Sequence, residues 1–426
     1  MAATLHFYRL SCGMPVCIQT TGESKLVSLS VWIDAGSSLD PLDKGGLAHL
    51  CEHLLLRPLM CNDSREQRFQ QKTGALVNAH TGPEWVVISA QAPVEQSKSL
   101  IDLLSALVRN PHFESNGLEI EKKIINQELK DKEPDLAAML ARAFQESAFA
   151  DNPWVQPVGG TPATLVAIQP EDVQSYYARS LVASRMLITA HGDIDASDLT
   201  SSLDEAFTDF PETSLPAGIN KSETTMEVRP PPAYRPVRIS KETSNAGPVS
   251  GYGLLAGLPS VPRGTEEYWT ALAFEVLMAD GPGSLLSGWL RNDTHQVYDA
   301  VSMTEAYEDW GCQYFLIRIS EYQVEEAIDH LGEQWKALPE SVTNERVEML
   351  RNRYATRALS SLAQMQDRMI LMRDIALSKS REPGSLEEDL ENFVTRNVQK
   401  LTSHSLLSYI RRYAEWDRVS LVYAPI

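Results

Sequence analysis

The chain is poor in what a disulfide framework, a membrane span or a nucleic-acid surface would require. Five cysteines in 426 residues form a sparse, odd-numbered set, which excludes a disulfide-stapled fold and points to a reducing, cytoplasmic setting. No apolar run approaches the ~20 residues of a membrane helix, and Met1-Ala2-Ala3-Thr4-Leu5 has neither the basic start nor the apolar core of a secretory leader. Positive charge is scarce: 38 Lys and Arg stand against 57 Asp and Glu, a formal net charge of −19. That balance would repel a phosphate backbone, so no nucleic-acid partner is expected, whereas basic peptides would be drawn in by long-range attraction.

The richest segment is Gly45-Gly46-Leu47-Ala48-His49-Leu50-Cys51-Glu52-His53-Leu54-Leu55-Leu56. Helical residues four apart share a face, so His49 and His53 can offer ring nitrogens to one ion while Glu52 projects beside them. Neutral imidazole is a good zinc ligand, and a catalytic zinc site takes three protein ligands and keeps one position for water. Zinc brings the pKa of that water from about 15.7 to about 7, within reach of a neighbouring carboxylate base, for which Glu52 is placed. The order His-x-x-Glu-His is the inverted form of a metallopeptidase signature. So short a pattern also recurs by chance, and a third ligand has to come from elsewhere.

A helix expected over 117–150 opens Leu118-Glu119-Ile120-Glu121-Lys122-Lys123-Ile124-Ile125-Asn126-Gln127-Glu128. Glu121 and Glu128 lie two turns apart on one face, so one carboxylate can bind the metal while the other orients a ligand or the substrate. A solvated acidic face is the ordinary fate of glutamates on so charged a helix. The histidine motif is what makes this pair a metal-site expectation.

Together these residues resemble the pitrilysin, insulin-degrading enzyme and mitochondrial processing peptidase family of zinc metallopeptidases, in which a distant glutamate completes the His-x-x-Glu-His site. The step from His53 to Glu128 matches that spacing. The resemblance implies His49, His53 and Glu128 as zinc ligands, Glu52 as general base and Glu121 as the supporting carboxylate. It extends to 5–17, similar to the family's first hairpin. The next stretch, 26–36, alternates Val27, Leu29, Val31 and Ile33 with Ser28 and Ser30, the pattern of a half-buried strand. Gly74-Ala75-Leu76-Val77-Asn78-Ala79-His80-Thr81 resembles a family segment that forms a sheet edge beside the zinc, where a substrate peptide can add as a further strand. Asn78 is the substrate-binding residue this implies, although asparagine before a turn also has a local explanation. His80 is not counted as a ligand, and Cys51 is expected to be a buried structural thiol.

Further along, Pro211-Glu212-Thr213-Ser214-Leu215-Pro216-Ala217-Gly218 and Pro230-Pro231-Pro232 break the periodicity. The chain is therefore expected to divide into a zinc-binding N-terminal domain over 1–210, a linker over 211–236 and a similar C-terminal domain without the metal motif over 237–426, as a duplication would leave it. The segment from Ser284 to Tyr298 looks like the family's Leu-Arg-x-x-x-Gly-x-x-Tyr stretch. From it the resemblance implies that Arg291 and Tyr298 anchor substrate backbone or stabilise an oxyanion. Two departures stand out: His295 occupies the family's glycine, and Leu56-Arg57-Pro58-Leu59-Met60 replaces its usual Lys-Gly-Thr run after the second histidine.

The implied fold is α+β, two similar domains, each a mostly antiparallel sheet packed with helices, forming half of a clamshell chamber. A full chamber takes two such chains, so the expected assembly is a homodimer, or a heterodimer with a zinc-less homologue. The implied activity is zinc-dependent endoproteolysis of short or unfolded peptides, either as general scavenging or as removal of a leader peptide from a precursor. The alternative is a non-catalytic core or scaffold subunit of the same fold; such relatives typically lose the metal residues that this chain keeps.

Overall fold

The computed structural model describes residues 4–62, 64–109, 115–131, 136–150, 153–211, 233–241, 251–281, 283–289, 297–320, 324–379, 384–386 and 389–425. Two compact units emerge. The first gathers 1–132, 156–229 and 362–392; the second gathers 133–155, 230–361 and 393–426.

The first unit is built on β1 (Thr4–Arg9), β2 (Pro15–Thr20), β3 (Leu26–Asp34), β4 (Leu76–Thr81), β5 (Trp85–Pro93), β7 (Met186–Gly192) and β13 (Gly384–Leu386), strands being numbered in chain order. They lie in the order β13-β1-β2-β7-β3-β5-β4, antiparallel throughout except for the parallel β2–β7 pair. The expected hairpin is present as β1 and β2. Its turn closes through Leu10 N–H to the Met14 carbonyl at 2.9 Å, with Gly13 at φ +88°, a left-handed conformation that glycine adopts without steric cost.

One face of this sheet carries the core. Val27, Leu29, Val31 and Ile33 of β3 join Leu50 and Leu54 of α1 (Leu47–Met60), Leu100 and Leu104 of α3 (Ser97–Arg109), Val173 of α7 (Pro170–Ser180) and Leu203 of α8 (Ala196–Phe207) in a single buried cluster. The short α2 (Arg65–Thr73) and α6 (Pro162–Ala167) and the longer α4 (Ser115–Asp131), whose Leu118 and Ile125 enter the same cluster, also belong to this unit.

The alternation in β3 predicts a strand with one solvated face, and here the structure differs: Ser28 and Ser30 are only 3% and 1% exposed. The helix Met365–Lys379 covers this second face. Its Arg373 guanidinium lies 4.8 Å over the Trp32 ring, and its Arg368 donates to Gln19 Oε1 at 2.8 Å. Buried polar groups must be paired: Gln91 donates to Ser28 at 3.0 Å, Ser30 and Ser89 hydroxyls meet at 2.9 Å, and Trp32 Nε1 donates to Thr189 at 2.9 Å. A polar pattern therefore marks a face covered by a polar helix, where alternation alone reads as solvent.

The second unit repeats the plan. Its strands β9 (Arg238–Ser240), β10 (Gly251–Ser260), β11 (Val297–Ala306), β12 (Gly311–Ser320) and β14 (Ser420–Pro425) lie in the order β11-β12-β10-β14-β9, with β14–β9 the parallel pair. Reading β9, β14, β10, β12, β11 against β2, β7, β3, β5, β4 gives the same connectivity, so the fold is α+β with two similar, mostly antiparallel sheets packed with helices.

The compact units nevertheless do not follow the chain-order boundaries 1–210, 211–236 and 237–426. The helix expected over 117–150 is two helices, α4 (Ser115–Asp131) and α5 (Leu136–Ala148), on either side of the sequence that carries Pro134, a residue unable to continue an α-helix. α5 packs on β10 and β14 of the second unit, and glycines make room for it. A Cβ at Gly257 would stand 2.5 Å from the Phe144 ring, and one at Gly253 would stand 2.7 Å from Leu136. After α5, β6 (Phe149–Ala150) pairs with β8 (Ala233–Tyr234), which falls within the stretch expected as linker. The exchange is reciprocal, because Met365–Lys379 and β13 serve the first sheet. Each sheet has two faces to cover, and each half of the chain supplies the helix for the other's second face.

Among the described residues no helix is long and apolar enough to cross a membrane. All five cysteines are free thiols, Cys61 exposed and the others buried.

Candidate metal centre

α1 is fixed before its histidines are reached. Gly46, at φ +93°, turns the chain into the helix, and the Asp40 carboxylate accepts from Gly46 N–H at 2.9 Å and Ala48 N–H at 3.0 Å. An anion on the first free N–H groups of a helix is favoured by both hydrogen bonding and the helix dipole. Tyr177 of α7 donates to the Cys51 carbonyl at 2.5 Å. Cys51 itself is 0% exposed, and burial pushes its thiol well above the ordinary range, as expected of a structural residue.

A second glycine pair lies against Gly45-Gly46. A Cβ on Gly160 would stand 2.1 Å from the Gly45 carbonyl oxygen, and one on Gly46 would stand 2.8 Å from that of Gly159. A Cβ at Gly159 itself would lie 3.6 Å from His49 Nδ1 and 3.1 Å from Leu129. The loop carrying these glycines is thus the wall behind His49. The sequence showed both glycine pairs, but nothing local linked them.

His49 and His53 face the same way, ring centroids 4.7 Å apart and nearly perpendicular. Glu128 comes from α4, and one ligand atom from each of His49, His53 and Glu128 lies within 4.8 Å of the other two. Among the described residues this is the one such cluster. Two ligands at zinc-bond length on a tetrahedral ion stand about 3.3 Å apart, and His53 Nε2 already lies 3.8 Å from Glu128 Oε1. The donor set, two imidazoles and a carboxylate, suits zinc and needs only small side-chain rotations to close.

The supporting residues are equally defined. Glu121, 6% exposed, places Oε2 3.2 Å from His53 Nδ1 and Oε1 2.7 Å from Arg57. A carboxylate at Nδ1 directs Nε2 toward Glu128 and the metal position. Glu52, 7% exposed, accepts from the Thr81 hydroxyl at 2.9 Å, and its Oε2 lies 3.9 Å from His49 Nε2.

Electrostatics follow from this crowding. Burial raises the Glu52 carboxyl above its ordinary pKa; the Thr81 hydrogen bond and the charge of His53 and His80 oppose the shift without cancelling it. Burial would lower His53, but the hydrogen bond to Glu121 and the charges of Glu52 and Glu128 outweigh it, so His53 is raised. Burial likewise acts to raise Glu121, and its bonds to His53 and Arg57 prevail, leaving it lowered. The cluster draws in cations, whether protons or a metal.

β4 is the outermost strand of its sheet among the described residues. Thr81 points from it toward α1, whereas Asn78 and His80 are exposed on the opposite face. Asn78 thus sits exposed on the edge strand. Arg291 lies outside the described residues. Tyr298 lies on β11, the outermost strand of the second sheet among the described residues, and its side chain is outside them. Thr81, Arg57 and Asp40 are site residues whose roles motif spacing did not reveal; Thr81 stood in the sequence as the last residue of the sheet-edge segment and Arg57 as a departure from the family pattern, whereas Asp40 left no trace.

Comparison with known proteins agrees with this geometry. Residues 16–162 match the profile described as Insulinase (Peptidase family M16), and residues 167–354 match the one described as Peptidase M16 inactive domain. The chain is 22% identical over 367 residues to the mitochondrial-processing peptidase subunit beta of Neurospora crassa, covering 83% of this chain and 75% of that one. It is also 22% identical over 306 residues to an uncharacterized zinc protease of Bacillus subtilis, covering 71% of each. Among solved structures, a peptidase M16 inactive domain from Pseudomonas fluorescens superimposes with a TM-score of 0.82 at 16% identity, over 99% of this chain and 98% of that one. A protease from Helicobacter pylori gives 0.80 at 15% identity over 99% of both chains.

Proposed function

Since the chain belongs to the M16 insulinase family of peptidases, we propose that it is a zinc-dependent endopeptidase acting on short or unfolded peptides. The observation that carries this is the convergence of His49, His53 and Glu128 within 4.8 Å, with the Glu52 carboxylate 3.9 Å from His49.

His49, His53 and Glu128 would hold the ion, which when bound supplies Lewis-acid polarisation of the scissile carbonyl and an acidified water. Glu52 takes a proton from the attacking water on its carboxylate and returns it to the leaving nitrogen, a role that suits a carboxyl raised by burial. Thr81 fixes the orientation of Glu52, and Glu121 fixes that of His53. The outer edge of β4 offers backbone groups to which a substrate can add as a strand, with Asn78 beside it. Arg291 and Tyr298 are assigned to anchoring the substrate backbone or stabilising the oxyanion.

The net charge of −19 favours basic peptides, and a relative named as a subunit supports action in a pair, as a homodimer or with a zinc-less homologue. The free thiols suit a cytoplasmic enzyme. Within this function, removal of a leader peptide and general scavenging differ only in substrate. Glu52→Gln is expected to abolish turnover of a quenched fluorogenic peptide with zinc still bound, and Glu128→Ala to lose the zinc. Persistent turnover by Glu52→Gln would refute the assignment, and a wild-type chain that binds zinc without any turnover would place it among scaffold subunits.

A further inference from the structure

We propose that Arg57 is a positioning residue of the metal centre, acting through Glu121 on His53, and that Gly117 is the slot that admits it; this rests on the metal assignment above. Arg57 lies one helical turn beyond His53 on α1, on the same face. Its Nη1 is 2.7 Å from Glu121 Oε1, while the other Glu121 oxygen is 3.2 Å from His53 Nδ1. One carboxylate therefore bridges a guanidinium and a ligand histidine, and all three side chains are largely withdrawn from solvent, at 19%, 7% and 16% exposure.

Gly117 supplies an independent observation. It is buried in the first turn of α4, one turn before Glu121. A Cβ there would stand 2.9 Å from Arg57 Nε and 3.2 Å from its Cδ. A glycine inside a helix forfeits helix propensity, and room for a neighbouring side chain is one reason to place it there. Here the reason is passage of the Arg57 side chain across α4 to the carboxylate. With only His53 to hold it, the Glu121 carboxylate could rotate about its last bond. With Oε1 fixed by the forked donors of a guanidinium, Oε2 remains at Nδ1 and keeps Nε2 aimed at the metal position.

The test is the zinc dissociation constant of the full-length protein, measured by competition with a chromogenic chelator, with circular dichroism to confirm folding. Arg57→Met is expected to weaken zinc binding about 10-fold or more, the usual scale for a partner that orients a ligand. Arg57→Lys, which keeps the charge and most of the reach, should stay within about 3-fold of wild type. Gly117→Ala leaves every site residue intact and should weaken binding in the same direction as Arg57→Met. Added to Arg57→Met, it should cost zinc affinity nothing further, because the guanidinium whose passage it blocks is already gone.

Wild-type affinity in Arg57→Met, or additive losses in the double variant, would overturn the role of Arg57 while leaving the metal assignment intact. Should Arg57→Met not fold, Arg57→Lys and Gly117→Ala still decide: affinity falling with Gly117→Ala and kept with Arg57→Lys supports the role, and unchanged affinity with Gly117→Ala overturns it. Absence of zinc uptake by the wild type would overturn both.

Discussion

Thr81→Val removes one hydroxyl from the site and little else, since valine keeps the β-branched shape that a strand favours. The lost bond is Thr81 Oγ1 to Glu52 Oε2 at 2.9 Å. Thr81 and Glu52 are 4% and 7% exposed, so water has little access to replace it. A hydrogen bond to a charged group contributes about 1.5–3 kcal/mol net. At 1.36 kcal/mol per decade that converts to about a 10- to 150-fold loss of kcat/KM if the bond is needed when Glu52 takes its proton. The sign of the pH effect also follows. The bond stabilises the ionised carboxylate and lowers a pKa that burial raises, so its loss moves the Glu52 pKa further up and shifts the acid limb of the kcat/KM profile to higher pH. The assay is fluorogenic-peptide turnover across pH, with zinc content measured in each variant, and Thr81→Ser should recover most of the activity. A Thr81→Val protein with full zinc, unchanged kcat/KM and an unmoved acid limb would refute the orienting role.

Two further outcomes rest on other parts of the first unit. Partial burial lowers His191 to about 4 from 6.5, the charge of Arg368 adding to the shift and Glu391 only partly compensating. A histidine depressed in the folded state stabilises fully above the unfolded pKa and less as pH falls toward the folded one, so at pH 4.5 up to about 2.5 kcal/mol is lost through it. His191→Gln should therefore flatten the difference in urea midpoint between pH 7 and pH 4.5 in zinc-free protein, and an equal acid loss in both proteins would count against this. Gly160→Ala, with φ +69° and a Cβ 2.1 Å from the Gly45 carbonyl oxygen, should destabilise by more than the ~1–2 kcal/mol of left-handed strain alone and weaken zinc binding. Gly264→Ala, at φ +81° with nothing within 4 Å, should show the strain only; similar melting losses for the two would refute the packing account.

What was legible in the sequence was whatever depends on local spacing. His49, Glu52 and His53 share a helical turn, Glu121 and Glu128 share a helix face, and the structure brings His49, His53 and Glu128 together with Glu121 beside His53. The residues that escaped notice act across long sequence separations. Thr81 reaches Glu52 only because β4 packs beside α1, Arg57 reaches Glu121 only because Gly117 leaves a slot, and the Gly159-Gly160 loop meets Gly45-Gly46 only in three dimensions. The same limit applies to the fold. The strand β3 was legible, but the burial of its serines was not, because the covering helix Met365–Lys379 comes from the far end of the chain. Periodicity reports which residues share a face and is silent on what that face meets.

The repeated connectivity also sets an arginine in the second unit against the candidate metal position of the first. The helices Glu266–Ala279 and Asn344–Ser361 occupy the places of α1 and α4 in the second unit. Where α1 and α4 bring His53 to Glu128, these bring Glu275 to Arg357 at 2.7 Å, and Arg357 lies as far into its helix as Glu128 does into α4. Glu275, 5% exposed, also accepts from Ser302 at 3.1 Å and Thr304 at 2.5 Å on β11. β11 is the counterpart of β4, whose Thr81 serves Glu52. A carboxylate on the helix, held by hydroxyls from the edge strand, is thus common to both units. What differs is the cation joining the two helices, a side chain in one and a position suited to zinc in the other. Chelating zinc from the loaded protein should therefore raise amide hydrogen exchange in α1 and α4 while leaving Glu266–Ala279 and Asn344–Ser361 unchanged, since a guanidinium cannot be chelated away. Equal loosening of both helix pairs would mean that zinc does not tie α1 to α4 in the way Arg357 ties its own helix to Glu275.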